Sequence, residues 1–192
     1  MSSRINYLMD IAKIAINYGF VPIPIFDKYP RFKNWQNVTL DPNDPEKLVR
    51  RFKHLYDHGL CNNIAILTGE KSGVVVLDVD KTAIGWFNER LKENGAIDTF
   101  TVKTGKDGYH FYFKYTDMVK DLPNLNKINN LDIDFRTNGG IVVFPGSINE
   151  ETGKKYVVFS GYDDKPKIEE MPEWIYNMLV NDFNKKRYIK RA

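Results

Sequence analysis

Cysteine is almost absent from this chain: Cys61 is the single one among 192 residues. A disulfide within the chain is therefore impossible, and a zinc site built on several cysteines is excluded. Histidine is also scarce, with only three residues. His54 and His58 are four apart and share a helix face, but no third ligand accompanies them, so we interpret them as surface residues. The cysteine content is typical of a reducing compartment, and we expect a cytoplasmic protein.

Long apolar runs are missing as well. No stretch approaches the roughly 20 apolar residues that a membrane-spanning helix needs, and the N-terminus does not resemble a signal peptide. We therefore expect no membrane partner.

A strong charge of one sign is the third absence, because the formal net charge is only +3. Any surface for nucleic acid must then be a local patch. Hydrophobic residues make up 42% of the chain and aromatic residues 14%, which is typical of a folded protein. The length indicates one domain. We place it at residues 1–180, with residues 181–192 as a basic tail or the start of a linker.

The order of predicted elements indicates an α/β or α+β fold. A helix, a short Pro-containing strand (FVPIPIF, predicted at a sheet edge) and a second helix come first, and strands then dominate with one helix between them. TFTVKTGKDGYHFYFKY is typical of a hairpin, and LDIDFRTNGGIVVFPGS of a strand, a turn and a second strand. We predict one mixed sheet from this order.

The stretch VVVLDVDK ends a buried strand with two like charges. Alternation places Asp78 and Asp80 on one face and Leu77 and Val79 on the other. Two carboxylates this close repel each other unless one keeps its proton or a cation joins them. Divalent cations prefer such oxygen ligands, and a strand end leading into a turn is the plain alternative.

Two further strands carry polar residues on one face. In GYHFYF, His110 points away from the apolar Tyr109 and Phe111. In LDIDFR, Asp132, Asp134 and Arg136 share the face opposite Ile133. Each pattern alone is compatible with a satisfied histidine or an exposed strand face. Together, three carboxylates from two strands fit a pair of divalent ions that serves an in-line phosphoryl transfer.

The order of four motifs resembles the N-terminal domain of bifunctional DNA primase/polymerases, within the archaeo-eukaryotic primase superfamily. The matching stretches are AINYGFVPIPIFDKYPRFKNW, NIAILTGEKSGVVVLDVDK, TGKDGYHFYF and IDFRTNGGIVVFPGS. The resemblance covers most of the chain. It implies a primase-polymerase fold, with an RRM-like catalytic half, a mixed central sheet and an N-terminal α/β unit.

The resemblance also implies roles for particular residues. Asp78, Asp80 and Asp134 would be catalytic metal ligands, with Asp132 as the nearest rival for the third place. The residues implied to bind the nucleotide are His110, Arg136, Thr137, Asn138, Gly139 and Lys28. Ser147 ends a PGS stretch where the family commonly has two prolines before the serine, so the motif departs from the family there.

The implied activity is template-directed nucleotidyl transfer, as a DNA primase, a DNA polymerase or both. It would use two Mg²⁺ or Mn²⁺ ions, a single-stranded DNA template with a primer, and dNTP or NTP. Loose candidates for template contacts are Lys28, Arg31, Lys33 and Trp35. A helicase region in the same protein or in trans is also implied, and the replicon can be a plasmid, a phage or a virus.

Two other classes stay open on the sequence. VVVLDVDKT also resembles the first motif of haloacid-dehalogenase phosphatases, with Asp78 as nucleophile, Asp80 as acid/base and Mg²⁺ as cofactor. That fold needs repeated strand–helix units, of which the chain offers few. An inactive module that binds single-stranded nucleic acid is the other alternative, although three acids without a metal are costly to bury.

Overall fold

The computed structural model describes residues 2–189. In that range the chain forms four α-helices: α1 (Ser2–Asn17), α2 (Lys47–Asp57), α3 (Ile84–Asn94) and α4 (Glu173–Ile189). It forms eight strands: β1 (Pro22–Ile25), β2 (Asn63–Leu67), β3 (Val74–Val79), β4 (Thr101–Lys103), β5 (Tyr109–Lys114), β6 (Ile133–Arg136), β7 (Ile141–Val143) and β8 (Val157–Ser160). The predicted α+β class is confirmed.

A small antiparallel sheet forms the N-terminal unit, with strand order β1–β2–β7. β1 pairs only with β2, so it is an edge strand, as its prolines predict. Helices α1 and α2 contribute buried apolar side chains to the core under this sheet, among them Leu8, Ile11, Val49 and Phe52. Their helical spacing places these residues on one face of each helix.

A larger sheet of five strands has the order β6–β3–β5–β4–β8. The segments β3, α3, β4, β5 and β6 give it the RRM-like arrangement that the resemblance implies. The predicted mixed sheet is wrong, because all the neighbouring strand pairs that the structure describes are antiparallel. The crossover through α3 does make β4 run in the direction of β3. The hairpin strand β5 then lies between them, so the two parallel strands are never neighbours.

Each face of the large sheet covers a separate core. Val75, Leu77 and Phe111 face α3 and α4, where Phe87 and Ile175 are buried. The opposite face presents alternate residues to the small sheet, with Val74, Val76 and Tyr112 buried there. Asp78, His110 and Asp134 continue this second face beyond its apolar part, because strand residues alternate between faces.

The predicted strand–turn–strand at 131–147 is not a hairpin. β6 pairs with β3 in the large sheet, whereas β7 pairs with β2 in the small one. Residues 137–140 therefore carry the chain from one sheet to the other. Ser147 is fully buried on the far side of β7, where its hydroxyl bonds the backbone N–H and C=O of Ile64 at 3.0 and 2.9 Å. Ser147 therefore has a structural role, because it joins the segment after β7 to β2.

The C-terminal segment differs in form from the predicted tail. Helix α4 continues to Ile189, so residues 181–189 are helical, and Asp182 on its inner face is buried. Residues 190–192 of the predicted tail lie outside the described residues. The boundary at residue 180 itself stays a prediction. Within residues 2–189, none of the helices has both the length and the apolar character to cross a bilayer.

Candidate active site

A cleft of about 560 Å³ lies between the two sheets, at the end of β3. Its floor comes from the large sheet and its walls come from the β1–α2 loop, the 137–140 turn and β7. The charged or titratable residues that line it are Lys28, Tyr29, Asp78, Asp80, Lys106, His110, Asp134, Arg136 and Tyr156. Seven of the ten predicted site or rival positions line this one cleft: Asp78, Asp80, Asp134, His110, Arg136, Gly139 and Lys28.

Three of the predicted residues stand side by side on the floor. In the strand register Asp78 is opposite His110 on one side and opposite Asp134 on the other. Nε2 of His110 lies 3.5 Å from a carboxylate oxygen of Asp78. The imidazole is buried, whereas the two aspartates are half-buried. The register of three strands therefore produces the convergence that the motifs predict.

Asp80 follows the strand and stays exposed at the mouth of the cleft. Its backbone N–H donates to the carbonyl oxygen of Asp132 at 3.0 Å, which holds it beside β6. Partial desolvation raises the pKa of Asp80, and the negative charges of Asp78, Asp134 and Asp132 raise it further, against a smaller opposite effect of Lys28. A cation at this point would relieve that repulsion.

Gly108 permits the close approach of the β4–β5 turn to Asp80. A Cβ atom there would lie 2.6 Å from the carbonyl oxygen of Val79 and 3.1 Å from Cα of Asp80. Such contacts are with backbone, which cannot move aside without displacing the end of β3. Gly108 is thus part of what positions the carboxylates.

Asp134 is engaged by its own neighbours. One carboxylate oxygen accepts from Nη2 of Arg136 at 2.7 Å, and the other accepts from the backbone N–H of Lys127 at 2.9 Å. Arg136 also donates to the side chain of Asn126 at 2.7 Å. The third carboxylate therefore shares the cleft with Asp78 and Asp80 but is paired with an arginine.

Asp132, the rival for the third position, is not among the residues that line the cleft. It accepts a hydrogen bond from the hydroxyl of Thr82 at 2.7 Å and lies 3.6 Å from Nζ of Lys127. These contacts lower its pKa, the Thr82 bond most. Asp134 has the better position for chemistry in the cleft.

The 137–140 turn divides into lining and supporting residues. Gly139 and Gly140 line the cleft, but Thr137 and Asn138 do not. Thr137 is buried, and Asn138 turns outward, where its side chain accepts from the backbone N–H of Glu70 at 2.9 Å. The hydroxyl oxygen of Thr137 is buried without a protein partner, whereas the Asn138 side chain supports the turn from outside the cleft. The nucleotide contacts of both residues stay a prediction.

The loop after β1 forms the opposite wall. Lys28 and Trp35 line the cleft, together with Tyr29 and Pro30. Arg31 and Lys33, the other predicted template candidates, are exposed and lie outside the lining. The guanidinium of Arg31 instead lies 5.4 Å from the ring centroid of Phe26.

Among the polar lining residues that the sequence did not predict are Thr104, Lys106, Asn124 and Tyr156. Thr104 and Lys106 belong to TGKDG, whose turn composition gave the only signal. Asn124 lies in an irregular connection without periodicity, yet its side chain accepts from the backbone N–H of Thr137 and donates to the carbonyl of Asn138. It fixes the turn that carries Gly139.

Tyr156 and His110 form the inner end of the cleft, with ring centroids 5.8 Å apart. Burial raises the pKa of Tyr156, and nearby carboxylates such as Asp78 add to the effect, so the phenol is neutral. Nδ1 of His110 is buried without a protein partner. Buried polar atoms without a partner are rare in native structures, and one that lines a cleft indicates a ligand contact.

The donor set fits a hard divalent cation, because carboxylate oxygens are the ligands that Mg²⁺ and Mn²⁺ prefer. The fit is best at Asp78 and Asp80, whose mutual repulsion a cation would remove. Among residues 2–189, no group of three or more His, Cys, Asp or Glu side chains is already arranged to hold a metal ion. Asp134 is instead paired with Arg136.

An α+β domain with an acidic cleft beside an RRM-like sheet thus defines a candidate phosphoryl-transfer domain. The family model described as "Bifunctional DNA primase/polymerase, N-terminal" matches residues 11–174. The chain belongs to this family, which is of the primase/polymerase type of nucleotidyltransferase, acts on DNA and nucleotides and is generally metal-dependent. No curated protein matches the chain. The implied helicase partner finds no support in these comparisons.

The haloacid-dehalogenase alternative does not agree with this structure. That class requires a parallel sheet with repeated strand–helix units, whereas the ladders among the described strands are antiparallel. The family match points to a different class of enzyme as well.

Proposed function

We propose that this domain is a template-directed nucleotidyltransferase, a DNA primase, a DNA polymerase or both, with two Mg²⁺ or Mn²⁺ ions as cofactors. The observation that carries the proposal is the row Asp134–Asp78–His110 across three strands, beside Asp80, in a cleft with Lys28 and Arg136 on its walls. Acidic groups for metal ions and basic groups for a triphosphate therefore share one opening.

In the reaction, the 3′-hydroxyl oxygen of a primer or an initiating nucleotide bonds to the α-phosphorus of the incoming triphosphate. The bond from that phosphorus to the bridging oxygen breaks, pyrophosphate leaves with the electron pair, and the hydroxyl proton passes to solvent. Cations held by Asp78 and Asp80 would lower the pKa of the hydroxyl and stabilise the charge on the leaving group.

The chain's own groups bind and orient the substrates. Asp78 and Asp80 would hold the cations, which would bring the hydroxyl and the phosphorus together. Nε2 of His110 lies 3.5 Å from a carboxylate oxygen of Asp78, and Nδ1 has no protein partner, so a phosphate oxygen is a suitable partner for Nδ1. Lys28 adds positive charge from the facing wall, and Gly139 lets the triphosphate approach the backbone.

Arg136 has two roles in this mechanism. While Arg136 donates to Asp134, it stabilises the ionised carboxylate but keeps this carboxylate from binding a cation. A triphosphate offers the guanidinium a second anionic partner with matching geometry. With a triphosphate bound, Arg136 would turn from Asp134 to the phosphates, and Asp134 would be free to hold a cation together with Asp78 and Asp80. Nucleotide binding and completion of the metal site would thus be coupled.

The experiment that tests the proposal is primer extension with labelled dNTP or NTP, single-stranded template and Mg²⁺ or Mn²⁺, with and without primer. The Asp78→Ala/Asp80→Ala protein should lose extension by at least about 1000-fold, because the groups that position the ions are removed. Asp163→Ala/Asp164→Ala is the matched control, since it removes two adjacent exposed acids outside the cleft.

Survival of extension in the cleft variant would overturn the assignment. The inactive nucleic-acid-binding module is favoured instead if the wild-type protein binds single-stranded DNA but forms no product in either reaction. Product without an added primer identifies primase activity, and product only with a primer identifies a polymerase.

A further inference from the structure

A cluster of three lysines lies beside the cleft, on a surface that the proposed chemistry does not use. Lys103 ends β4, Lys81 follows Asp80 directly, and Lys154 belongs to the loop before β8. We call Lys81, Lys103 and Lys154 the lysine array.

One carboxylate, that of Asp107, forms an ion pair with each of the three lysines. The oxygens of Asp107 lie 2.8 Å from Nζ of Lys154, 3.3 Å from Nζ of Lys103 and 3.7 Å from Nζ of Lys81. No other carboxylate in residues 2–189 pairs with three basic side chains. Hydrogen bonds from Lys154 and Lys103 lower the pKa of Asp107 to about 2, so it is ionised at any working pH.

The array keeps an excess of positive charge. Three ammonium groups face one carboxylate, which leaves a local balance of +2 if all are ionised. The lysine side chains are 40–69% exposed, so a ligand in solution can reach them. Exposed ion pairs contribute little to stability, typically about 0–1 kcal/mol. A lysine of the array can therefore leave Asp107 and bind a phosphate at little cost in free energy.

The array has a fixed position relative to the acidic floor. The 104–108 turn is closed by three hydrogen bonds. The N–H of Thr104 donates to the carbonyl of Gly108 at 2.9 Å, that of Asp107 to the carbonyl of Thr104 at 3.0 Å, and that of Gly108 to the hydroxyl of Thr104 at 3.0 Å. The hydroxyl of Thr152 donates to the carbonyl of Gly105 at 2.7 Å and joins the Lys154 loop to this turn. Gly108 in turn lies against Val79 and Asp80, so the array moves with the end of β3.

We propose that the lysine array binds backbone phosphates of the nucleic-acid strand whose end enters the cleft. This inference rests on the proposed function, which requires a strand to reach Asp78 and Asp80. The array lies outside the lining of the cleft, whereas Lys28, His110 and Arg136 line the interior that the proposed function assigns to the triphosphate. Lysines act as point charges on flexible stems, which suits contacts to phosphates without recognition of bases.

Binding of a labelled 20-mer of deoxythymidine, measured by fluorescence anisotropy over a series of salt concentrations, tests the proposal. The test variant is Lys81→Gln/Lys103→Gln/Lys154→Gln, and the matched control is Lys53→Gln/Lys92→Gln/Lys120→Gln. Each control lysine is exposed and paired with one acid on a surface away from the cleft. Both triple variants change the net charge by the same amount.

For single strands the slope of log K against log salt is about −0.7 per phosphate contact. The array variant should therefore lose about 2 units of slope, whereas the control should keep that of the wild type. If the triple variant does not fold, each single array variant should lose about 0.7 units. Equal slopes in array and control variants, whether lowered or unchanged, overturn the proposal.

Titration with dTTP separates the two sources of phosphate. The array variant should bind dTTP as tightly as the wild type, and loss of dTTP affinity with unchanged strand affinity overturns the proposal. Failure of the lysine-array proposal can be told apart from failure of the proposed function. Primer extension at saturating DNA depends on Asp78 and Asp80, and it should survive in the array variant.

Discussion

Asp80 is a residue at which folding and function oppose each other. Its pKa is raised by desolvation and by the neighbouring carboxylates, so its ionised form costs stability in the folded chain. The penalty is absent well below the ordinary carboxyl pKa, where the group is neutral in both states. It appears as the pH rises through the window from the ordinary pKa to the raised one, and it stays above that window.

Asp80→Asn should therefore stabilise the protein at pH 7 without divalent cations and leave stability unchanged near pH 3. Because Asp80 is exposed and water screens the repulsion, the gain is at most about 1 kcal/mol, or about 2–4 °C in Tm. Thermal unfolding in EDTA at both pH values measures it, with Asp163→Asn as control. A lower Tm at pH 7 for Asp80→Asn than for the wild type would contradict the assigned repulsion.

Arg136 provides the second test on a single residue. Arg136→Ala frees Asp134 to join the acidic floor, so Mn²⁺ should bind more tightly in the absence of nucleotide. Nucleotide should bind more weakly, because a bidentate phosphate donor is lost. A charged hydrogen bond of about 1.5 kcal/mol or more corresponds to about a tenfold change in each constant.

Electron paramagnetic resonance of free Mn²⁺ and calorimetric titration with dTTP give the two constants. Arg50→Ala is the control, since it removes an arginine that pairs with the exposed Asp44 outside the cleft. If Mn²⁺ affinity rises equally in both variants, overall charge and not the Asp134 pair explains the effect.

At the scale of elements, the contact between the β4–β5 turn and the end of β3 positions the site. Gly108→Ala places a methyl group 2.6 Å from the Val79 carbonyl oxygen, and overpacking of this kind costs about 1–3 kcal/mol. The displaced backbone should also move Asp80 and reduce primer extension. Chemical denaturation measures the loss of stability, and the yield of extended primer measures the loss of activity.

Gly85→Ala in α3 is the matched control for that change. A Cβ atom at Gly85 meets nothing within 4 Å and Gly85 has no left-handed φ, so alanine should stabilise the helix by about 0.5–1 kcal/mol. If Gly108→Ala behaves like Gly85→Ala, the close approach does not constrain the site.

Considered as a whole molecule, the site was more predictable than the sheets that carry it. Asp78, His110 and Asp134 could be found because strand alternation assigns each to a face and three strands in register then align them. The partner of Asp134 could not be found in this way. Alternation places Asp134 and Arg136 on one face, but whether they contact each other or a ligand depends on rotamers and on Asn126 and Lys127.

The division of the strands into two sheets could not be predicted from the sequence pattern. β6 and β7 follow each other like the strands of a hairpin, and only their pairing with β3 and β2 separates them. The mixed sheet was predicted from element order, which does not show that β5 lies between β3 and β4. The contacts of Thr104, Lys106 and Asn124 come from irregular segments, where no periodicity exists to interpret.

The most direct test of the account is to locate Mn²⁺ by anomalous diffraction in crystals of the protein with Mn²⁺ and a non-hydrolysable dNTP analogue. The account predicts two anomalous peaks in the cleft, both in contact with Asp78 and Asp80 and one also with Asp134, with the triphosphate at His110 and Arg136. Peaks remote from Asp78 and Asp80, or a nucleotide bound without Mn²⁺ at these carboxylates, would contradict it.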